Sequence, residues 1–226
     1  MALIDNLIEE GWLKTPRISE AFRKIKRVDF LPEDSKDLAE LNEALPIGYG
    51  QTISQPLVVA FMLELLAPEP GEKILDIGSG SGWTSALLGE IVGKEGKVIA
   101  IDIVPELVEF GKKNVAKYSL VERGIVEFIC ADGSKGYEKE APFDKILASA
   151  SAEILPKSWK EQLKIGGRIV TPIGSSIWLF IKKSDSATSK RINPLFHLRP
   201  AMRDSVFEEI EYPGFVFVPL IKGQRG

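Results

Sequence analysis

The residues whose types and spacing could do chemistry gather around one stretch, Leu75 to Trp83, which reads LDIGSGSGW. A carboxylate, Asp76, sits near the end of a short apolar run, and glycines follow at alternate positions, Gly78, Gly80 and Gly82. An apolar helical pattern then starts at once with Trp83, Ala86, Leu87 and Ile91. Strand, glycine turn, helix is the opening of a βαβ nucleotide-binding unit, where glycines let a ligand approach the backbone at a helix N-terminus. The spacing is Gly-x-Gly-x-Gly, and Trp83 stands where the motif of dinucleotide enzymes has its third glycine. That points away from a nicotinamide dinucleotide and toward S-adenosylmethionine, which has no pyrophosphate to cradle.

Two further carboxylates fall where such a fold meets its ligand. Asp102 ends the next apolar run, 20 positions after Gly82. It could accept from ribose hydroxyls, or cap the helix that begins at Pro105. Asp132, with Gly133, lies just past the run IVEFIC, at the carboxyl end of a third strand. It could accept from an adenine amino group, or serve as a turn aspartate. Asp76 could bond the amino group of a methionine moiety, the glycine-loop backbone, or both, because a buried aspartate needs a partner.

Histidine and cysteine machinery is sparse. Cys130 reads as a core residue, with a Cys130–His197 nucleophilic pair as the alternative. One cysteine, one histidine and no carboxylate cluster of ligand spacing give no expectation of a catalytic metal. Methyl transfer to a carboxylate oxygen needs no general base, because the acceptor is already ionised near neutral pH. The protein must desolvate the acceptor, align it and hold it. Hydroxyls and backbone N–H groups suffice, and the stretch Gly50-Gln51-Thr52-Ile53-Ser54 supplies both on a constrained loop.

The elements that must position these groups follow from periodicity. Residues 2–40 are helical in character: Leu3, Ile4, Leu7 and Ile8 form one apolar face, and Ile18, Ala21, Phe22 and Ile25 another that begins near a Ser19 cap. The stretch LPIGYGQTISQP, residues 45–56, cannot continue a helix, yet is too apolar for a plain solvent loop. A helix starts at Pro56 and stops before Pro68. The remainder alternates strand and helix as a parallel sheet requires, with strands at Lys73–Ile77, Lys97–Asp102, Ile125–Cys130, Asp144–Ser149 and Gly167–Pro172. The intervening helices start near Gly82, near Pro105, weakly around Ser134, and near Pro156. Ser176–Lys182 must return as a hairpin, since no crossover fits, and FVFVPLI, residues 215–221, reads as a final strand. The expected fold is α/β and Rossmann-like: a mostly parallel seven-stranded sheet with an antiparallel C-terminal strand, of the class I S-adenosylmethionine-dependent methyltransferase type. Residues 1–55 form a helical extension with its loop and 56–226 the methyltransferase domain, together a single structural unit.

Composition narrows the classes. The chain has 226 residues, 44% of them hydrophobic, room for one large α/β domain, and no apolar run long enough to cross a membrane. The N-terminus, MALIDNLIEEGW, carries acidic residues where a signal peptide is basic. A net charge of −3 and scattered basic residues argue against dedicated nucleic-acid binding. With its lone cysteine, the chain is expected to be cytoplasmic.

At this point the residues resemble a family, the protein-L-isoaspartate O-methyltransferases. LPIGYGQTISQP at 45–56 is the specific signature and LDIGSGSGW at 75–83 the general cofactor loop; IDIVPEL at 101–107, CADGSKGY at 130–137, QLKIGGRIVTPIG at 162–174 and FVFVPLI also match, in order. The resemblance implies an enzyme that moves a methyl group from S-adenosylmethionine to the α-carboxylate of L-isoaspartyl residues in damaged proteins and peptides, leaving S-adenosylhomocysteine. The ester then cyclises to a succinimide, whose hydrolysis returns some normal aspartate. It implies Ser54 as the active residue, orienting the acceptor rather than attacking it, with Thr52 and Ile53 beside it. Gly78, Ser79, Gly80 and Gly82 would line the methionine end, Asp102 and Ile103 the ribose side, and Asp132 with Gly133 the adenine, while Val218-Pro219-Leu220 would help close the site. A monomer is favoured, with no membrane or nucleic-acid partner. Three departures stand out: Ser151 and Glu153 where an alanine-rich turn is usual, Asn42 where aspartate is usual, and an unmatched 184–203. A glutamate pointing into the pocket would repel a carboxylate. Those departures keep two other readings open, a methyltransferase for another acceptor and a catalytically weak binding module; a nicotinamide oxidoreductase fits least.

Overall fold

In the computed structural model, which describes residues 3–184, 206–221 and 223, nine strands and six helices can be followed. Two short helices come first, α1 (Leu3–Glu9) and α2 (Pro16–Lys24). Helix α2 begins at its own proline, whose missing N–H costs nothing at a first turn. Ser19 therefore lies inside it and donates from Oγ to the Pro16 carbonyl instead of capping it. Short 3-10 helices at Arg27–Phe30 and Glu33–Leu38 lead into β1 (Leu45–Gly48) and β2 (Gln51–Ile53), an antiparallel hairpin where a loop was expected. Its turn is tight because Gly48, Tyr49 and Gly50 all take positive φ. Helix α3 (Pro56–Leu66) follows and stops at Ala67, in the left-handed region just before Pro68.

The main sheet has the order β5-β4-β3-β6-β7-β8-β9. Its parallel part is β3 (Lys73–Ile77), β4 (Lys97–Asp102), β5 (Val126–Cys130), β6 (Phe143–Ala148) and β7 (Leu163–Ile173). Helices α4 (Trp83–Val92), α5 (Pro105–Ala116) and the short α6 (Lys157–Gln162) connect them, and only a single helical turn, Gly133–Lys135, stands near Ser134. Strand β8 (Ser176–Lys182) runs back along β7, and β9 (Phe207–Pro213) along β8. The expected last strand, residues 215–221, is not a strand. It is an extended segment whose one β-bridge is Ser151–Pro219, and Pro219 has no N–H to continue a ladder. The strands at the sheet centre are buried on both faces: Ile74, Leu75, Val98 and Ile99 are fully enclosed. One of the two core clusters reaches from Leu7 through Ile53 and Trp83 to Leu179, so the N-terminal helices and the hairpin share a core with the sheet. His197 and most of 184–203 lie outside the described residues.

Candidate active site

The topology reverses at β3, whose neighbours are β4 on one side and β6 on the other. Open α/β sheets bind ligands in the crevice beyond the carboxyl ends of the strands at such a point. Here a cleft of about 320 Å³ opens, walled by the glycine turn, the ends of β4 and β6, the β1–β2 hairpin, the start of α3 and the segment 216–221.

The glycine turn is held by backbone bonds: the N–H groups of Gly78 and Ser79 both donate to the Ile101 carbonyl, at 2.8 and 3.0 Å, and Gly82 N–H to the Ser79 carbonyl at 2.8 Å. Gly78, Gly80 and Gly82 have φ of 75°, 51° and 86°, a region costly for any side chain. Gly78, Ser79, Gly80 and Ser81 face the cleft, whereas Gly82 does not. A Cβ on Gly82 would meet the Gly111 carbonyl oxygen and Val115 Cγ2, both at 2.9 Å, so this glycine lets α4 pack on α5 rather than touch a ligand.

The three carboxylates part company. Asp102 reaches the cleft rim and is used twice by the backbone, Oδ2 accepting from Gly80 N–H at 2.9 Å and Oδ1 from Val104 N–H at 3.0 Å. A carboxylate oxygen can accept more than one hydrogen bond, so loop anchor, helix cap and ribose acceptor are compatible roles. Asp76 is fully buried and absent from the cleft wall. Its Oδ2 accepts from Ser85 Oγ at 2.6 Å, its Oδ1 has no partner, and the glycine-loop bond expected for it is not made. Burial, opposed by the Ser85 bond and helped by nearby Asp102, raises its pKa to about 7. Asp132 also stands off the wall. Its Oδ1 accepts from the N–H and Oγ of Ser134 and its Oδ2 from Gly223 N–H, the turn role rather than a free acceptor. Burial pushes this carboxyl up, but the bonds from Ser134 and Gly223 outweigh it and hold it below its usual range. Gly133 does line the cleft, and a Cβ there would sit 2.5 Å from Ile77 Cγ2, so only glycine leaves this floor open.

Thr52, Ile53 and Ser54 enter from the hairpin side, and Ile103 from the end of β4. The hairpin rests on the glycine turn, where Ile47 Cδ1 comes 3.2 Å from where a Gly80 Cβ would be. Thus the stretch 51–54, β2 with the serine that follows it, and the turn after β3, over twenty residues apart in sequence, share one cavity. Val218, Pro219 and Leu220 close it as an extended clasp: Ser151 N–H donates to the Val218 carbonyl and Leu220 N–H to the Ser151 carbonyl, both at 2.8 Å. Glu153 is exposed and lines a separate shallow groove with Trp178 and Glu211, and does not line the cleft. Cys130 is exposed rather than core, because β5 is an edge strand and Cys130 its last residue. Asn42 accepts from Leu57 N–H at 3.0 Å and so caps α3.

The sequence reading missed Trp83, Thr84, Ser149 and Ala150 as cleft residues, and Arg27 altogether. Trp83 was legible, since the first residue of a helix after a glycine turn faces the ligand crevice. The cleft suits S-adenosylmethionine. Ser79 Oγ and Trp83 Nε1 are buried polar atoms on wall residues without partners, while Ile77, Ile101 and Ile103 offer apolar surface. Among the described residues, no three His, Cys, Asp or Glu side chains gather to hold a metal.

Sheet order, glycine turn and cleft are those of the class I S-adenosylmethionine-dependent methyltransferase fold. A sequence model of the family described as protein-L-isoaspartate(D-aspartate) O-methyltransferase matches residues 1–197. The chain belongs to that family. A protein-L-isoaspartate O-methyltransferase of Methanopyrus kandleri is 40% identical over 213 residues, covering 92% of this chain and 93% of the relative. One from Archaeoglobus fulgidus is 48% identical over 176 residues, 77% of this chain and 79% of the relative. A solved structure from Plasmodium falciparum, a putative member bound to S-adenosyl-L-homocysteine, superposes with a TM-score of 0.78 over 98% of this chain and 97% of that one; at 22% identity the likeness is one of fold.

Proposed function

We propose that the cleft performs isoaspartyl repair methylation with a division of labour between its two polar walls. Gly78, Ser79 and Gly80 take the methionine end of the cofactor, Asp102 and Ile103 the ribose side, and Gly133 the adenine. Thr52, Ile53 and Ser54 receive the isoaspartyl α-carboxylate of a damaged polypeptide. The observation that carries this reading is that the GQTIS stretch and the glycine turn line one cavity.

When bound, S-adenosylmethionine supplies a methyl group on a positively charged sulfur. The carboxylate arrives ionised, so Ser54 needs only to donate a hydrogen bond and fix one oxygen in line with the methyl carbon. Ile53, 4% exposed, and the clasp 216–221 keep water from that oxygen and raise its reactivity. With the donor held by Gly78, Ser79 and Gly80, an O–CH3 bond would form as the S–CH3 bond broke, and the opposite charges of the two reactants would cancel. No proton moves, so the step calls for no histidine among the described wall residues.

The same reading takes the enzyme as a cytoplasmic monomer whose macromolecular partners are damaged polypeptides rather than nucleic acid or membranes. The net charge of −3 supports it. Residues 1–55 act as the extension that carries the acceptor loop and 56–226 as the methyltransferase domain, and their shared core supports one unit. The test is methyl transfer from labelled S-adenosylmethionine to two peptides that differ only in an L-isoaspartyl or a normal aspartyl linkage. Base-labile label on the isoaspartyl peptide alone is expected. Label on neither peptide, with cofactor bound, would shift the reading to another acceptor or to a binding role.

A further inference from the structure

Arg27 is 6% exposed and sits on the single helical turn that follows α2, far in sequence from any cleft residue. Its guanidinium donates to four backbone carbonyls. Nη1 bonds Ala39 and Leu41 at 3.2 and 2.9 Å, and Nη2 bonds Glu43 and Ser54 at 2.7 and 3.3 Å. None of those four residues is in a helix or strand, so these acceptors have no regular ladder to enter. Carbonyls drawn partly out of water need partners, and one rigid fork, through Nη1 and Nη2, replaces the missing secondary structure. The same guanidinium lies 5.5 Å from the centre of the Trp83 ring, which opens α4 and faces the cleft. Burial brings its pKa down to about 10, with Glu40 opposing the fall, so it stays charged at neutral pH.

We infer that Arg27 is a positioning residue for methyl transfer: it ties the Ser54 carbonyl and the approach segment 39–43 to the tryptophan beside the cofactor turn, and so sets the distance between acceptor and methyl donor. The inference rests on the role given to Ser54. The cofactor turn itself is pinned by the Ile101 carbonyl and by Asp102, neither of which Arg27 touches. Loss of the fork therefore loosens the acceptor wall and leaves the bonds that pin the glycine turn in place. Lysine cannot restore it, because one ammonium does not span four carbonyls.

The test compares wild type with Arg27→Lys and Arg27→Met. Both variants are expected to bind S-adenosylhomocysteine within about threefold of wild type. Their kcat on an isoaspartyl peptide should fall by about ten- to a hundredfold, the scale of an ångström's misplacement. Unchanged kcat, or cofactor affinity falling in step with kcat, would overturn the inference. Hydrogen exchange on the wild type gives a second readout that needs neither variant folding nor turnover. Amides of 27–31 and 39–57 should open as one unit, at rates within about threefold, because one side chain fastens both. Independent opening would overturn the inference. A wild type that leaves the isoaspartyl peptide unmethylated refutes the repair reading instead, and the exchange comparison still decides for Arg27.

Discussion

Replacing Asp76 by asparagine removes a buried acid while keeping its shape and its bond to Ser85, whose Oγ donates to Asp76 Oδ2 at 2.6 Å. Burial raises this carboxyl from 3.8 to about 7, with the Ser85 bond opposing and Asp102 adding to the rise. The folded state therefore holds the proton more tightly than the unfolded chain. The stabilisation is complete below the unfolded pKa and is lost as pH rises toward the folded one, between about pH 4 and pH 7. At 1.36 kcal/mol per pH unit this window spans at most ~4 kcal/mol, and ~2–4 kcal/mol is expected. Asparagine carries no such dependence. Urea unfolding of both proteins from pH 4 to 8 measures it: the stability of the variant relative to wild type should climb across that window and level off above pH 7. A constant difference would refute the claim that burial raises the Asp76 carboxyl.

Other substitutions separate the jobs around the cleft. Gly82→Ala should cost ~2–4 kcal/mol, since its Cβ would meet Gly111 and Val115 at 2.9 Å as well as a φ of 86°; Gly93→Ala, with φ of 66° and open space, should cost only ~1–2 kcal/mol, and equal shifts in urea midpoint would contradict the packing role. Asp102→Ala strips the acceptor from the N–H groups of Gly80 and Val104, so stability should fall by ~3 kcal/mol and calorimetry should show cofactor binding weakened by about ten- to a hundredfold. Asp132→Ala, whose carboxylate is spent on Ser134 and Gly223, should weaken the cofactor by about threefold or less, and a loss as large as that of Asp102→Ala would return Asp132 to the adenine.

What the sequence disclosed and what it hid divide along a physical line. The bounds of β3, β4 and β8 were legible because buried strands announce themselves as local apolar runs. The glycine turn was legible because its backbone geometry admits little else. The β1–β2 hairpin was hidden, since its turn depends on three successive positive φ values and its strands are only four and three residues long. The last strand was misplaced from FEEIEYP to FVFVPLI: β9 is a half-exposed edge strand rich in glutamate, whereas the apolar segment spends its side chains on the cleft. The bonds from Ser134 and Gly223 to Asp132 were hidden, because position in the fold does not reveal a side chain's local partners. Arg27 was invisible, since its partners are carbonyls that carry no mark in the amino-acid code.

The central claim is that acceptor and cofactor are held by separable walls of one cleft, and Ser54→Ala tests it most directly. Steady-state methylation of an isoaspartyl peptide, measured beside the S-adenosylhomocysteine dissociation constant, should show kcat down by about ten- to a hundredfold with cofactor affinity within about twofold. Turnover equal to wild type, or a loss carried by cofactor affinity, would contradict the account.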